Sequence, residues 1–142
     1  MRIFTLPEAQ TLLPVLNSLL EKAQKAASTA TTREHALQSL HQSIFLNGGM
    51  RVDLPQVARL KSEQEKAVAE ARDTLQEIDE IGVSVKDLQA GLLEFPFQLD
   101  DEVVLLCWIQ GQSAITTWRT AEQDPEDRQP LDDRFSRGER PH

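Results

Sequence analysis

The side chains with the most chemical potential in this chain are Glu94, Cys107, Trp108, Gln112, Trp118, Arg119 and Arg128. Cys107 is the only cysteine, and a thiolate beside a base can carry covalent chemistry. Glu94 stands between Leu93 and Phe95-Pro96, an apolar neighbourhood of the kind that suits acid–base work. Trp108 and Trp118 are the only tryptophans, and aromatic residues flanking a short sheet can line a pocket or anchor an interface. Arg119 and Arg128 can pair with Glu94 or Asp87, as ordinary salt bridges or as the rim of an anion pocket.

A plainer role stands beside each of these. Cys107 lies mid-strand between Leu106 and Trp108, where a free cysteine is commonly a small buried hydrophobe. Both tryptophans are expected to pack in the core, and Glu94 to face outward as a strand-end carboxylate. Asp87, Glu94, Asp100, Asp101 and Glu102 can converge on a hard cation, yet acids beside turns are more often solvated. His35 and His41 fall on different helical faces and make no i, i+4 clamp. Asn47-Gly48-Gly49 is followed by no Lys-Ser or Lys-Thr, so it is a turn and not a phosphate loop. No cofactor and no metal are expected, and no motif decides whether the chain is an enzyme.

Taken together, FTLPEAQTLLPVL at Phe4 to Leu16, GVSVKDLQAGLLEFP at Gly82 to Pro96, LLCW at Leu105 to Trp108, TTW ending at Trp118, and DRQPL at Asp127 to Leu131 resemble the bacterial domain of unknown function family number 2203. Members of that family read DFP where this chain has Glu94-Phe95-Pro96, GE where it has Gly111-Gln112, and WH where it has Trp118-Arg119. A family site built on that acid and that histidine would here have an amide in Gln112 and an arginine in Arg119. The resemblance implies a fold and a bacterial, cytoplasmic origin, and no activity.

Composition narrows the partners. With 142 residues the chain fits one domain, and its formal charge of −8 argues against DNA, RNA and anionic lipid, which are bound through clustered Lys and Arg. The late arginines are interleaved with acids and form no basic patch. A lone cysteine forms no internal disulfide, MRIFTLPEAQ has no signal-peptide core, and no apolar run approaches the length of a membrane helix. A soluble, cytoplasmic protein is expected, with neither nucleic acid nor membrane as partner.

These residues need elements to hold them. Thr5-Leu6-Pro7-Glu8 is a capping box with proline in the first turn, and Asp53-Leu54-Pro55-Gln56 repeats the device. Positions 9, 12, 16, 19, 23, 26, 30, 33, 37, 40 and 44 form a narrow, alanine-rich seam, answered by Val57, Leu60, Gln64, Ala67, Ala71, Leu75, Ile78 and Ile81. Pro14 should kink the first arm and Ser28 to Thr32 should weaken it, so one bent helix is preferred over two. Gly82 stops the second arm. Val83-Ser84-Val85, Leu92 to Phe97, Val103 to Ile109 and Ala114 to Trp118 then read as strands, with Val103 to Ile109 as a central strand covered on both faces.

The expected fold is α+β, a long, coiled-coil-like helical hairpin over 5–82 followed by a small antiparallel β-meander over 83–119. Residues 1–131 form a single domain and 132–142 a disordered tail. Leu13, Leu20 and Val68 lie outside the seams, where a lone partner helix leaves them exposed, so a homodimer built as a four-helix bundle is expected, with the sheets outside it. The leading functional expectation is a non-enzymatic oligomeric scaffold or protein-binding module acting through its helical surface. The alternative is a small enzyme or ligand- or metal-binding protein with a pocket between the sheet and the helices.

Overall fold

A computed structural model of the chain describes residues 2–46, 48 and 53–136. Helices α1 (Leu6–Leu46) and α2 (Leu54–Ile81) precede strands β1 (Ser84–Asp87), β2 (Leu92–Leu99), β3 (Glu102–Ile109), β4 (Thr117–Thr120) and β5 (Gln129–Pro130), and the short helix α3 (Asp133–Ser136) ends the described chain. The α+β arrangement is the one the periodicity predicts. Thr5 and Glu8 bond reciprocally, the Thr5 amide to the Glu8 carboxylate at 2.9 Å and the Glu8 amide to the Thr5 hydroxyl at 3.2 Å. Asp53 accepts from the Gln56 amide at 3.0 Å and so caps α2.

α1 is a single helix. Pro14 sits on its exposed side, and Thr31 inside the weak Ser28–Thr32 stretch turns its hydroxyl back to the Ala27 carbonyl at 3.1 Å. The expected turn rests on Gly48, which has φ of +69°, while Asn47 and Gly49 lie outside the described residues.

The chain divides into two compact units. One is Glu21–Thr74, the outer lengths of both helices. Ala23, Ala26, Ala30 and Ala67 are buried along the predicted seams, joined by Thr74, whose hydroxyl bonds to the Glu70 carbonyl at 2.7 Å. Arg33, the charged member of the first seam, reaches across to Glu63 at 2.6 Å.

The other unit comprises Met1–Leu20 and Leu75–His142. Its sheet is an antiparallel meander in the order β1-β2-β3-β4-β5, with β3 in the middle. Leu93, Phe95, Phe97, Leu99, Val104, Leu106, Trp108 and Trp118 face one way and pack on Phe4, Ala9, Leu13, Leu16, Leu20 and Ile78 in one apolar core. Pro96 is tolerated inside β2 because β1 pairs with β2 only as far as Glu94. Its carbonyl accepts the Phe4 amide at 2.9 Å instead. Gly82 ends α2 at φ +103°, where a Cβ would stand 2.9 Å from the Arg2 Cβ. Arg2 in turn donates to the Ile81 carbonyl at 3.0 Å, a partner for one of the free carbonyls of the helix end.

Four expectations are corrected. Leu13 and Leu20 are not left exposed, because the sheet covers them. The last predicted strand, Ala114 to Trp118, is displaced to Thr117–Thr120. Gln10 and Asn17 of α1 capture the residues before it, Gln10 accepting from the Ile115 amide at 3.3 Å and Asn17 from Gln110 at 3.2 Å. A fifth strand, β5, extends the sheet past the predicted limit at residue 119; its Pro130 fits an outer edge, where no ladder donor is required. Finally, residues 132–136 are no disordered tail: Phe135 is fully buried, with its ring 5.0 Å from that of Phe97 and 5.2 Å from that of Trp118. Residues 137–142 lie outside the described residues.

Candidate functional site

Strand alternation divides the proposed site residues between the two faces of the sheet. Trp108 and Trp118 point into the apolar core, and each satisfies its indole N–H locally: Trp108 donates to the Gln112 carbonyl at 3.0 Å and Trp118 to the Pro130 carbonyl at 3.2 Å. Gln112 is exposed and uses its side-chain oxygen to accept the Ile109 amide at 3.2 Å. These residues do structural work in the core and its bounding turn. The space between sheet and helices, where a pocket was expected, is occupied by that packing.

Glu94, Cys107 and Arg119 come together on the opposite face. Glu94 is directly across from Cys107, and Arg119 is across from Leu105 on the far side of β3. The Arg119 guanidinium clasps the Glu94 carboxylate with two bonds, Nε to Oε2 at 2.5 Å and Nη2 to Oε1 at 2.7 Å. The two side chains are only 6% and 4% exposed. The remaining Arg119 nitrogen, Nη1, donates to the carbonyls of Gln123 at 2.6 Å and Thr120 at 3.3 Å. The hydrogen bond to Glu94 raises the Arg119 pKa above its ordinary value.

The guanidinium therefore ties the segment after β4 to a buried carboxylate. Gln123 completes the tie by accepting from the Thr120 amide at 3.0 Å and from Gln129 at 3.1 Å. Behind it comes the single turn Pro125–Asp127, closed by Arg128, which donates to the Pro125 carbonyl at 2.8 Å.

Cys107 is buried, as expected of a mid-strand cysteine, on the face of the sheet opposite the apolar core. Its thiol donates weakly to Glu94 Oε2 at 3.9 Å. Burial and then the Glu94 charge push its pKa from 9.0 up to about 11. A raised pKa keeps the thiol protonated at neutral pH, the opposite of the activation that a nucleophilic cysteine needs.

Beside this cluster, the same face carries an open cleft of about 520 Å³. Leu92 and Ile109, cross-strand partners two steps along the ladder from Glu94 and Cys107, lie in it. Lys86, Asp87 and Ala90 line it from β1 and the following turn, and Asp124, Pro125, Glu126 and Arg128 from the tied segment. Of the residues singled out from the sequence, Asp87 and Arg128 reach the cleft. Lys86, Asp124 and Glu126 were missed because no local pattern marks a surface charge that only chain reversal brings opposite another.

Among the described residues, no group of three or more His, Cys, Asp or Glu side chains is placed to hold a metal ion. Among the same residues, no helix is long and apolar enough to cross a membrane. The family model described as "Uncharacterized conserved protein (DUF2203)" matches residues 2–131. No curated protein and no solved structure matches the chain. The chain belongs to that family, whose description assigns no activity.

Proposed function

We propose that this member of the DUF2203 family is a non-enzymatic bacterial scaffold protein of the cytoplasm that works as a homodimer through the helical unit Glu21–Thr74. One observation carries the reading. No described residue from Thr31 to Lys66 is buried, although Leu37, Leu40, Ile44, Val57 and Leu60 follow the apolar seams of both arms. These side chains are half-buried in a single copy, while Phe45, Leu46 and Leu54 are 83%, 73% and 68% exposed. An alanine seam lets two helices approach but buries little area, at roughly 25 cal/mol per Å² of apolar surface. Long helix pairs gain most of their stability from packing an amphipathic face, and a second hairpin supplies that face in a four-helix bundle. Two-fold pairing presents the same stripe on both copies and closes without leaving an open end.

Because the sheet covers Leu13 and Leu20, the proposed interface draws only on residues of Glu21–Thr74. The raised pKa of the buried Cys107 thiol favours a binding role over covalent catalysis, and the negative net charge favours a protein partner over a polyanion.

Light scattering across a dilution series tests the reading. The expected mass is twice the 16.0 kDa of one chain. Phe45→Glu and Leu54→Glu alter exposed side chains and leave each hairpin intact, so they should shift the protein toward the single-chain mass with unchanged helix content. A mass of 16.0 kDa at every concentration refutes the proposal.

A further inference from the structure

We propose that the cleft on the outer face of the sheet binds short zwitterionic peptides with aliphatic side chains. The inference is independent of the dimer, because every residue it uses lies in the unit that contains the sheet.

The commitments of the lining side chains decide the ligand class. Asp87 is engaged with the Ala90 amide at 3.0 Å, and Arg128 has one nitrogen on the Pro125 carbonyl at 2.8 Å. Asp124 is close enough to Arg119 to favour its charged form. The side chains of Lys86 and Glu126 make no hydrogen bond or ion pair with any described residue. One comes from β1 and the other from the segment after β4 tied down by Arg119, so the cleft lining offers a free ammonium and a free carboxylate from elements that β2 and β3 separate in the sheet order. Those intervening strands contribute the apolar side chains of Leu92 and Ile109 to the lining.

A ligand complementary to this arrangement has an aliphatic middle and opposite charges at its two ends. A peptide of two or three residues meets that description, its carboxylate toward Lys86 and its ammonium toward Glu126. The volume of about 520 Å³ falls within the range of small-molecule sites. Phosphate esters are disfavoured, since Asp87, Asp124 and Glu126 outweigh Lys86 and Arg128. A bare divalent cation is disfavoured too, because the carboxylates do not gather as a ligand set. The walls are also preorganised. The Arg119 bonds to Glu94 and Gln123 hold the segment before any ligand arrives, which lowers the ordering cost of binding.

The test is a titration of the full-length protein with alanyl-leucyl-alanine, followed by amide chemical shifts. Saturable shifts are expected at Ala90, Leu92 and Ile109. Acetylating the peptide's amino end, or amidating its carboxyl end, should each weaken binding about two- to fivefold, the weight of one solvent-exposed charged contact. Lys86→Gln and Glu126→Gln change exposed, unpartnered side chains and leave the fold unaltered. Each should weaken the unblocked peptide to a similar degree. The Glu126→Gln variant should become insensitive to acetylation, and Lys86→Gln to amidation. The inference is overturned if no saturable shift appears at these residues. It is equally overturned if blocking the ends, or either substitution, leaves the affinity unchanged.

Discussion

Replacing Arg119 by methionine removes one half of the buried Glu94–Arg119 pair, and the structure determines which half is worse to lose. Both side chains are nearly inaccessible, and stranding one charge of such a pair costs about 3–5 kcal/mol, far more than the ~0.5 kcal/mol of an exposed ion pair. In Arg119→Met the Glu94 carboxylate keeps only the weak Cys107 thiol, 3.9 Å away. In Glu94→Leu the guanidinium keeps the carbonyls of Gln123 and Thr120. Arg119→Met should therefore lie at the upper end of the range and Glu94→Leu at the lower. At roughly 3–4 °C per kcal/mol for a chain of this size, Arg119→Met should melt on the order of 15 °C below the parent. The double variant should lose less than Arg119→Met alone, because apolar side chains of similar volume satisfy each other where a lone charge cannot. Urea denaturation at pH 7 on all four proteins, compared at constant m, measures the coupling directly. Single losses below about 1 kcal/mol, or a double loss equal to the sum of the singles, refute the view that this pair is desolvated and coupled.

Phe135→Ala should cost about 3–5 kcal/mol by emptying the site between Phe97 and Trp118, read as a drop in the urea midpoint; an unchanged midpoint would mean that α3 does not dock in solution. A thiol reagent should modify Cys107 far more slowly in the native protein than in denaturant, and equal rates would show the side chain to be accessible. The raised thiol pKa also ties stability to alkaline pH. The folded protein holds the proton more tightly, so this contribution is complete below about pH 9.0 and is lost as pH rises toward about 11, by roughly 2–3 kcal/mol in all. The difference in unfolding free energy between the parent and Cys107→Ala should narrow over that interval, and a constant difference would remove the thiol as the cause.

The buried cluster on the outer face of the sheet was only partly legible from the residues. Glu94, Cys107 and Arg119 could each be singled out, but their meeting depends on strand register. That register follows from the two-residue reversal at Asp100-Asp101, with Asp100 at φ +53° and Leu99 opposite Glu102, which sets Glu94 opposite Cys107. A turn placed at those two residues is enough to bring the acid and the thiol onto one face, and the acidic pair is its local mark. Nothing comparable in the sequence points to Lys86 and Glu126, which line one cleft because the chain returns through β4 and the segment after it.

By itself, the sequence determined the helices, their caps, the alanine seam and the two long strands, because each rests on side-chain periodicity or on a hydrogen bond between near neighbours, such as Thr5 with Glu8. Tertiary structure alone decided that the sheet covers Leu13 and Leu20, that α1 captures the residues before β4, that a proline-bearing strand joins the edge, and that Phe135 enters the core. It also decided that the two tryptophans and the Glu94–Arg119 pair lie on opposite faces. These outcomes depend on contacts between residues distant in the chain. Their free energy comes from apolar area and buried charge that exist only once the sheet is assembled, so no local pattern encodes them.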